Sequence, residues 1–363
     1  MLDPADVRIV LGGTPEPFTS ATDEKRAALG HFEPHNALVT RGAERTIRRR
    51  LNEEALETAH PVHSHVDGFR TIVREETTAL TTEAAGSGEL DWDAFSQAWF
   101  RVVRRVVLGN AARDDHALTD LMARLRGRAN WAFAMPKDRR ARDELHRRLQ
   151  AHVDRAEPGS LAARVAGQPE AAFATHQMAQ WLFAFDPAGM TTFRALALIV
   201  SNDDALARAE AEISAGGPDP AFLKACALET LRLFPTTPAI LRQTTTAASL
   251  RAGRLPGDAG VLVYAPFFHR MSGLPDADRF APVRWQGRDA EELLPFVPFS
   301  AGAAVCPAKH LVPLLVAEAL RELLSRHRYA VLAPGWLAQA PRLRGTLNNY
   351  AIRLTLHPIP RRT

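Results

Sequence analysis

The sequence predicts a mainly α-helical protein with a minor β part weighted toward the C-terminus. Apolar residues recur at three- and four-residue intervals through most of the chain up to Phe234. From Pro235 to Tyr264 the texture changes to short apolar runs punctuated by Gly and Pro, which read as strands. A long helical stripe returns after Cys306 (Leu311, Leu314, Leu315, Ala319, Leu320, Leu323, Leu324). With 363 residues, 46% of them hydrophobic, the chain can bury a sizeable core, and residues 1–363 read as a single domain without repeats.

Residues 1 to about 40 read as irregular around Gly12-Gly13, Pro15 and Pro17, with a short helix at Asp23–Leu29. Arg41–Leu56 reads as a strongly cationic helix, followed by helices near Gly68–Glu83 and Trp92–Leu108, the second stopping at Gly109. Helices around His116–Arg128 and Arg139–Ala156 carry arginines suited to solvated faces. Pro169–Asp203 is the longest helical stretch, apolar almost all round, and belongs in the core. Pro187 and Gly189 predict a kink or a local loss of hydrogen bonds in its middle. Pro220–Phe234 is a further helix, with Cys226 packed inside. Ile240–Thr246, Ser249–Arg254 and Gly260–Tyr264 read as short strands, and Tyr329–Leu332 with Tyr350–His357 as a terminal pair.

Charge narrows the function classes. The formal net charge is only +4 and the arginines are scattered, with no basic tail or aromatic-interleaved patch for nucleic acid. Two cysteines, Cys226 and Cys306, make no disulfide framework and suit a reducing compartment. The N-terminus lacks a cationic segment followed by an apolar one, and no window reads as a membrane span. A cytoplasmic protein of bacterial type is expected.

The most constrained stretch is Leu294-Pro-Phe-Val-Pro-Phe299-Ser-Ala-Gly302-Ala-Ala-Val-Cys306-Pro-Ala-Lys-His310. Pro295 and Pro298 stiffen it and Gly302 allows a tight turn. Pro307 suits a first helical position, so Cys306 is expected at the positive end of the following helix, where a thiolate is favoured. Upstream, Glu229-Thr-Leu-Arg232 places a carboxylate and a guanidinium on one helix face among apolar residues. Phe280-Ala-Pro282-Val-Arg284-Trp285 lies between, and its arginine can close a buried triad with them.

Glu-x-x-Arg, then Phe-x-Pro-x-Arg-Trp, then Phe-x-x-Gly-x-x-x-Cys-Pro, in this order, resembles the cytochrome P450 superfamily from about residue 38 to the C-terminus. The resemblance implies the family fold, with heme b between the long central helix and the cysteine-loop helix. Cys306 is then the axial metal ligand through its thiolate, with Phe299 shielding the sulfur and Gly302 permitting the loop. Glu229, Arg232 and Arg284 form the structural triad behind it. Ala188-Gly189-Met190-Thr191-Thr192 matches the oxygen-activating helix: Ala188 lies against the cofactor and Thr192 falls where the family places a proton-relaying threonine. Arg45, Arg49 and Arg242 match propionate-binding positions.

Four departures stand out. The acid that usually precedes the relay threonine is Thr191, so protons are expected from Asp186, Thr191 or water. The basic residue two before the cysteine is Ala304, and the glycine two after it is Ala308. The cationic helix begins near residue 41, which suggests a short N-terminal part. The resemblance implies a monooxygenase of apolar small molecules, of the kind used in secondary metabolism, fed by a ferredoxin or similar one-electron donor with its reductase. Trp131–Met135, Phe185, Met190 and Thr236–Ile240 are the expected pocket residues. A peroxygenase or other non-reductive heme-thiolate catalyst is the alternative, and a heme-binding protein without turnover is a third reading.

Overall fold

The computed structural model describes residues 3–168, 172–288, 293, 295–338 and 342–359. The expected start of the central helix at Pro169–Ala171 and the loop residue Leu294 lie outside them. Residues before the cationic helix are ordered rather than irregular. Asp3 accepts from the Ala5 N–H and Pro4 opens α1 (Pro4–Gly12), a start signal of the usual kind. β1 (Phe18–Thr19) and α2 (Asp23–Leu29), capped by Thr22, follow.

The helical body comprises α3 (Gly42–Ala55), α4 (Val66–Ala85), α5 (Trp92–Leu108), α6 (His116–Ala129), α7 (Arg139–Arg155) and α8 (Leu161–Val165), with β2 (Glu89–Asp91) before α5. α9 (Ala174–Val200) runs unbroken through Pro187 and is about 40 Å long. The Asn202 side chain caps a separate helix, α10 (Asp203–Ala215), so the apolar run ends sooner than its composition suggests. α11 (Ala221–Leu233) completes this part.

α9 packs against α5, α7, α11 and α13 (Leu311–Arg326) and belongs to the largest hydrophobic cluster. By length and composition it is apolar enough to cross a membrane, contrary to the sequence expectation, but 67% of that window is buried inside the protein. It reads as a core helix.

The β part lies in three pieces. β3 (Ala239–Thr244) pairs antiparallel with β1 and with β6 (Gly260–Tyr264). Residues expected as one strand at Ser249–Arg254 fold instead as a hairpin of β4 (Ala248–Leu250) and β5 (Gly253–Leu255), because Gly253 sits at φ +139°. A short helix, α12 (Ala265–His269), follows β6. β8 (Arg353–Pro358) pairs with both β2 and β7 (His327–Ala333). A satellite apolar cluster of Val7, Leu11, Ile240, Val263, Phe268, Val297 and Ala301 joins α1, the β3–β6 sheet and the cysteine loop.

Candidate active site

Glu229 and Arg232 are fully buried on α11 and meet in a two-pronged ion pair, Oε1 to Nη2 at 2.7 Å and Oε2 to Nε at 2.8 Å. Arg284 Nε stands 3.3 Å from Glu229 Oε2, so the three residues come together. The same carboxylate accepts the Ala281 N–H and the Trp285 indole N–H. Arg232 donates onward to the carbonyls of His269, Ala277 and Arg279. A charge pair this deep is stable only when its remaining bonds are made, as they are here. It fixes the segment 276–285 against α11.

His269 carries this rigidity to the cysteine loop: its ring lies between the Arg232 carbonyl and the Val297 N–H. Beyond Val297 the loop turns twice in the left-handed region. Ser300 has φ +61° where no glycine relieves it, and its hydroxyl accepts from Arg242 Nη2 at 3.0 Å. Gly302 has φ +67°, and a Cβ there would lie 2.3 Å from the Leu11 carbonyl oxygen of α1. Only glycine fits.

The Cys306 N–H donates to the Phe299 carbonyl at 2.8 Å, closing the loop on itself. Cys306 does not stand in the first turn of α13, which begins at Leu311. Pro313 has no N–H to bond Lys309, so the regular ladder starts late and residues 307–310 form a turn. The expected thiolate does not arise from the protein alone either. Burial pushes the Cys306 thiol above its ordinary pKa, outweighing the Ala308 N–H and the charge of Arg49. A metal ion bound to the sulfur reverses that balance.

Near the loop stands a group of arginines. Arg45 is buried, donates to the Ala303 carbonyl at 2.8 Å and forms no ion pair among the described residues. Arg242 is also buried and, among the described residues, bonds neutral acceptors only: Thr14 Oγ1, the Leu241 carbonyl and Ser300. Burial first, and then Arg45, push its pKa down to about 10. Arg49 differs, since Glu53 neutralises it at 2.6 Å.

On α9 the partly accessible residues form one stripe: His176, Gln180, Phe183, Ala184, Pro187, Met190 and Arg194. Thr192 and Ala188 lie off this stripe and are buried, and the Thr192 hydroxyl donates to the Ala188 carbonyl at 2.9 Å. Thr191 donates likewise to Pro187. Asp186 is paired with Arg126 of α6 at 2.8 Å. Gly189 carries no side chain because Trp99 lies where its Cβ would be, and the Trp99 indole donates to the Phe185 carbonyl at 2.7 Å. Of the expected pocket residues, Phe185 is buried, whereas Trp131 and Phe133 stand exposed between α6 and α7.

Residues 218–332 match the family model described as Cytochrome P450. Over its whole length the chain superposes on solved structures of that family. With the retinoic acid bound cyanobacterial CYP120A1 the TM-score is 0.78 at 16% identity, covering 97% of this chain and 87% of that one. With a six-coordinated cytochrome P450 from Thermus thermophilus it is 0.73 at 20% identity, covering 98% and 91%. Residues 218–332 thus match the cytochrome P450 family, and the chain has the fold of its solved structures.

Among curated proteins, cytochrome P450 monooxygenase FCK2 of Fusarium pseudograminearum is 38% identical over 95 residues, 25% of this chain and 17% of that protein. The probable cytochrome P450 4aa1 of Drosophila melanogaster is 28% identical over 110 residues, 30% and 22%. The chain thus spans about a fifth of the length of the curated relatives it matches.

Cytochromes P450 bind heme b, and the residues of this chain fit that group. Cys306 offers a sulfur ligand on a loop held at both ends, Phe299 lies beside it, and Arg45 and Arg242 are buried cations with no carboxylate partner among the described residues. Ser300, Thr14 and His269 were missed by sequence reasoning. Ser300 stands at a position that glycine suits better, and Thr14 and His269 act through contacts far away in the chain.

Proposed function

We propose that this protein is a heme-thiolate monooxygenase that oxidises an apolar small molecule, with Cys306 as the iron ligand. The observation that carries the reading is the cysteine loop: Cys306 closed onto Phe299, Gly302 seated against Leu11, and two buried arginines nearby with no carboxylate partner among the described residues. Heme supplies the oxygen-activating redox chemistry when bound. Arg45 and Arg242 hold its propionates, while Glu229, Arg232 and Arg284 keep the loop from moving.

On the distal side the apolar stripe Phe183, Ala184, Pro187 and Met190 of α9 suits a substrate without charge. The Trp99 indole and Gly189 hold α9 close to α5 and fix the direction of that stripe. The candidates to hold a proton there are the Thr191 and Thr192 hydroxyls, each of which now bonds a helix carbonyl, with Thr192 lying off that stripe. A ferredoxin-type carrier with its reductase supplies electrons. The protein acts in the cytoplasm, in secondary metabolism.

One observation favours the alternative, a peroxygenase: no acid precedes Thr192, and Asp186 is committed to Arg126. The test is the spectrum of dithionite-reduced protein with carbon monoxide, beside Cys306→Ala. A strongly red-shifted Soret band present in the parent and absent in the variant supports the reading; no heme, or the same band without Cys306, overturns it. Product formed with a carrier system but not with peroxide separates monooxygenase from peroxygenase.

A further inference from the structure

We infer that His35, His146 and His176 form an acid-released latch that holds residues 31–40 against α7 and the start of α9. Their rings come from three elements and touch. The centre of the His176 ring on α9 stands 4.0 Å from that of His146 on α7 and 4.8 Å, edge-on, from that of His35. His146 bonds the Phe32 carbonyl through Nε2 at 2.7 Å and meets the Thr175 hydroxyl at Nδ1. Beside the rings, Asn36 donates to the His176 carbonyl and Gln177 donates to the His35 carbonyl. Gln177 Oε1 in turn accepts the Ala37 N–H. Phe32 lies 5.9 Å from Phe183, so the segment also covers one end of the apolar stripe of α9.

The cluster has no anion of its own to receive a proton's charge. Arg48 of α3 and Arg142 of α7 face it, opposed by Glu44 and Asp143. Both carboxylates are exposed, and each already faces an arginine: Glu44 with Arg48 at 3.2 Å, Asp143 with Arg142 at 3.3 Å. His176 Nδ1 is buried and has no hydrogen-bond partner among the described residues. Burial first, and then the neighbouring rings and arginines, push the His176 pKa down to about 2. The pKa values of His35 and His146 move the same way, with burial again the main cause.

A proton on any one ring sets a positive charge beside another ring and near two guanidiniums, in a place sheltered from water. The closed arrangement therefore favours three neutral rings. Its contribution is complete above pH 6.5 and is lost as pH falls below that value. Opening returns the rings to water, where they titrate normally. Residues 31–40 suit such a device, since their only regular structure is the single 3₁₀ turn Ala37–Val39 and their ties to the body are few. Release uncovers Phe183, and the latch itself requires no heme.

The experiment follows the amide protection of residues 31–40 by hydrogen exchange in the purified full-length chain. Protection is compared at about pH 7.5 and about pH 5.5, with rates corrected for the intrinsic effect of pH. Wild type is expected to lose about tenfold in protection at the lower pH, the weight of one proton over one pH unit. His176→Phe, which keeps a ring without a titrating nitrogen, should match wild type at the higher pH and lose little at the lower. His35→Gln, a change at an exposed ring that leaves the fold intact, should show a reduced loss. His116→Gln, at an exposed histidine of α6, should behave as wild type. Residues 297–310, whose loop is tied to His269, are the internal reference and should respond alike in every variant. Equal protection of residues 31–40 at the two pH values in wild type overturns the inference. So does an undiminished loss in both His176→Phe and His35→Gln, which places the acid-sensitive group elsewhere.

Discussion

The Val297 N–H donates to Nε2 of His269 at 3.0 Å, while Nδ1 of the same ring lies 3.0 Å from the Arg232 carbonyl. An imidazole that accepts at Nε2 carries its proton at Nδ1, so both bonds require the neutral ring. One side chain thereby joins the triad helix to the cysteine loop.

Acid should undo this joint. Burial, with Arg232 and Arg270 adding to it, holds the His269 pKa down at about 4 despite its bond to the Arg232 carbonyl. The folded state therefore favours the neutral ring. Its contribution is complete above pH 6.5, the unfolded value, and is lost as pH falls toward and through about 4. Over that window it amounts to about 3 kcal/mol. Urea midpoints of wild type and His269→Phe should show a gap in pH dependence between about pH 6.5 and 4, and parallel curves above about pH 7. Parallel curves throughout would show that the ring is not the joint.

Glu229→Ala leaves the fully buried Arg232 guanidinium without its anion. We expect a loss of about 3–5 kcal/mol, the cost of breaking a buried pair, read as a lower urea midpoint and poor recovery of heme-loaded protein. Arg284→Ala should cost less, roughly 1–2 kcal/mol. Its Nε is close to Glu229 but outside hydrogen-bond geometry, and its Nη2 bonds the Pro275 carbonyl. Equal losses in the two variants would count against this ranking.

Two neighbouring positive-φ residues should respond oppositely. Gly302→Ala drives a Cβ into the Leu11 carbonyl and should lower thermal stability and heme content together. Ser300→Gly relieves a strained φ worth about 1 kcal/mol, yet removes an acceptor from Arg242. Thermal stability of that variant should stay near wild type while heme is lost faster in an apomyoglobin transfer assay.

Thr191 and Thr192 can be separated by coupling efficiency, the product formed per oxygen consumed. If Thr192 relays the proton, Thr192→Ala lowers product formation by about 10²-fold, in the range of general acid catalysis, while oxygen consumption continues. Thr191→Ala should then change little. The reverse order would assign the relay to Thr191, which is buried and bonds the Pro187 carbonyl.

Periodicity and cap signals made the long elements legible. Trp92–Leu108 has the predicted bounds because Asp91 caps it and Gly109 ends it at φ +102°. α1 was missed although Asp3-Pro4 is a start signal, since the glycines and prolines after it drew attention first. At the site, the triad was legible because its residues are close along one helix and one following segment. The contacts of Ser300 and Thr14 depend on the segment after α1 folding back onto β3 and the cysteine loop, which no local pattern announces. Cys306 reverses the simple argument from a helix end, because its desolvation outweighs the backbone dipoles that face it.

The seat of Gly302 against the Leu11 carbonyl has a bearing on biosynthesis. Leu11 and Thr14 leave the ribosome about three hundred residues before Cys306. A nascent chain therefore holds the seat of the cysteine loop long before it holds the sulfur ligand. Until Gly302 follows, Leu11 waits for a partner from far along its own chain.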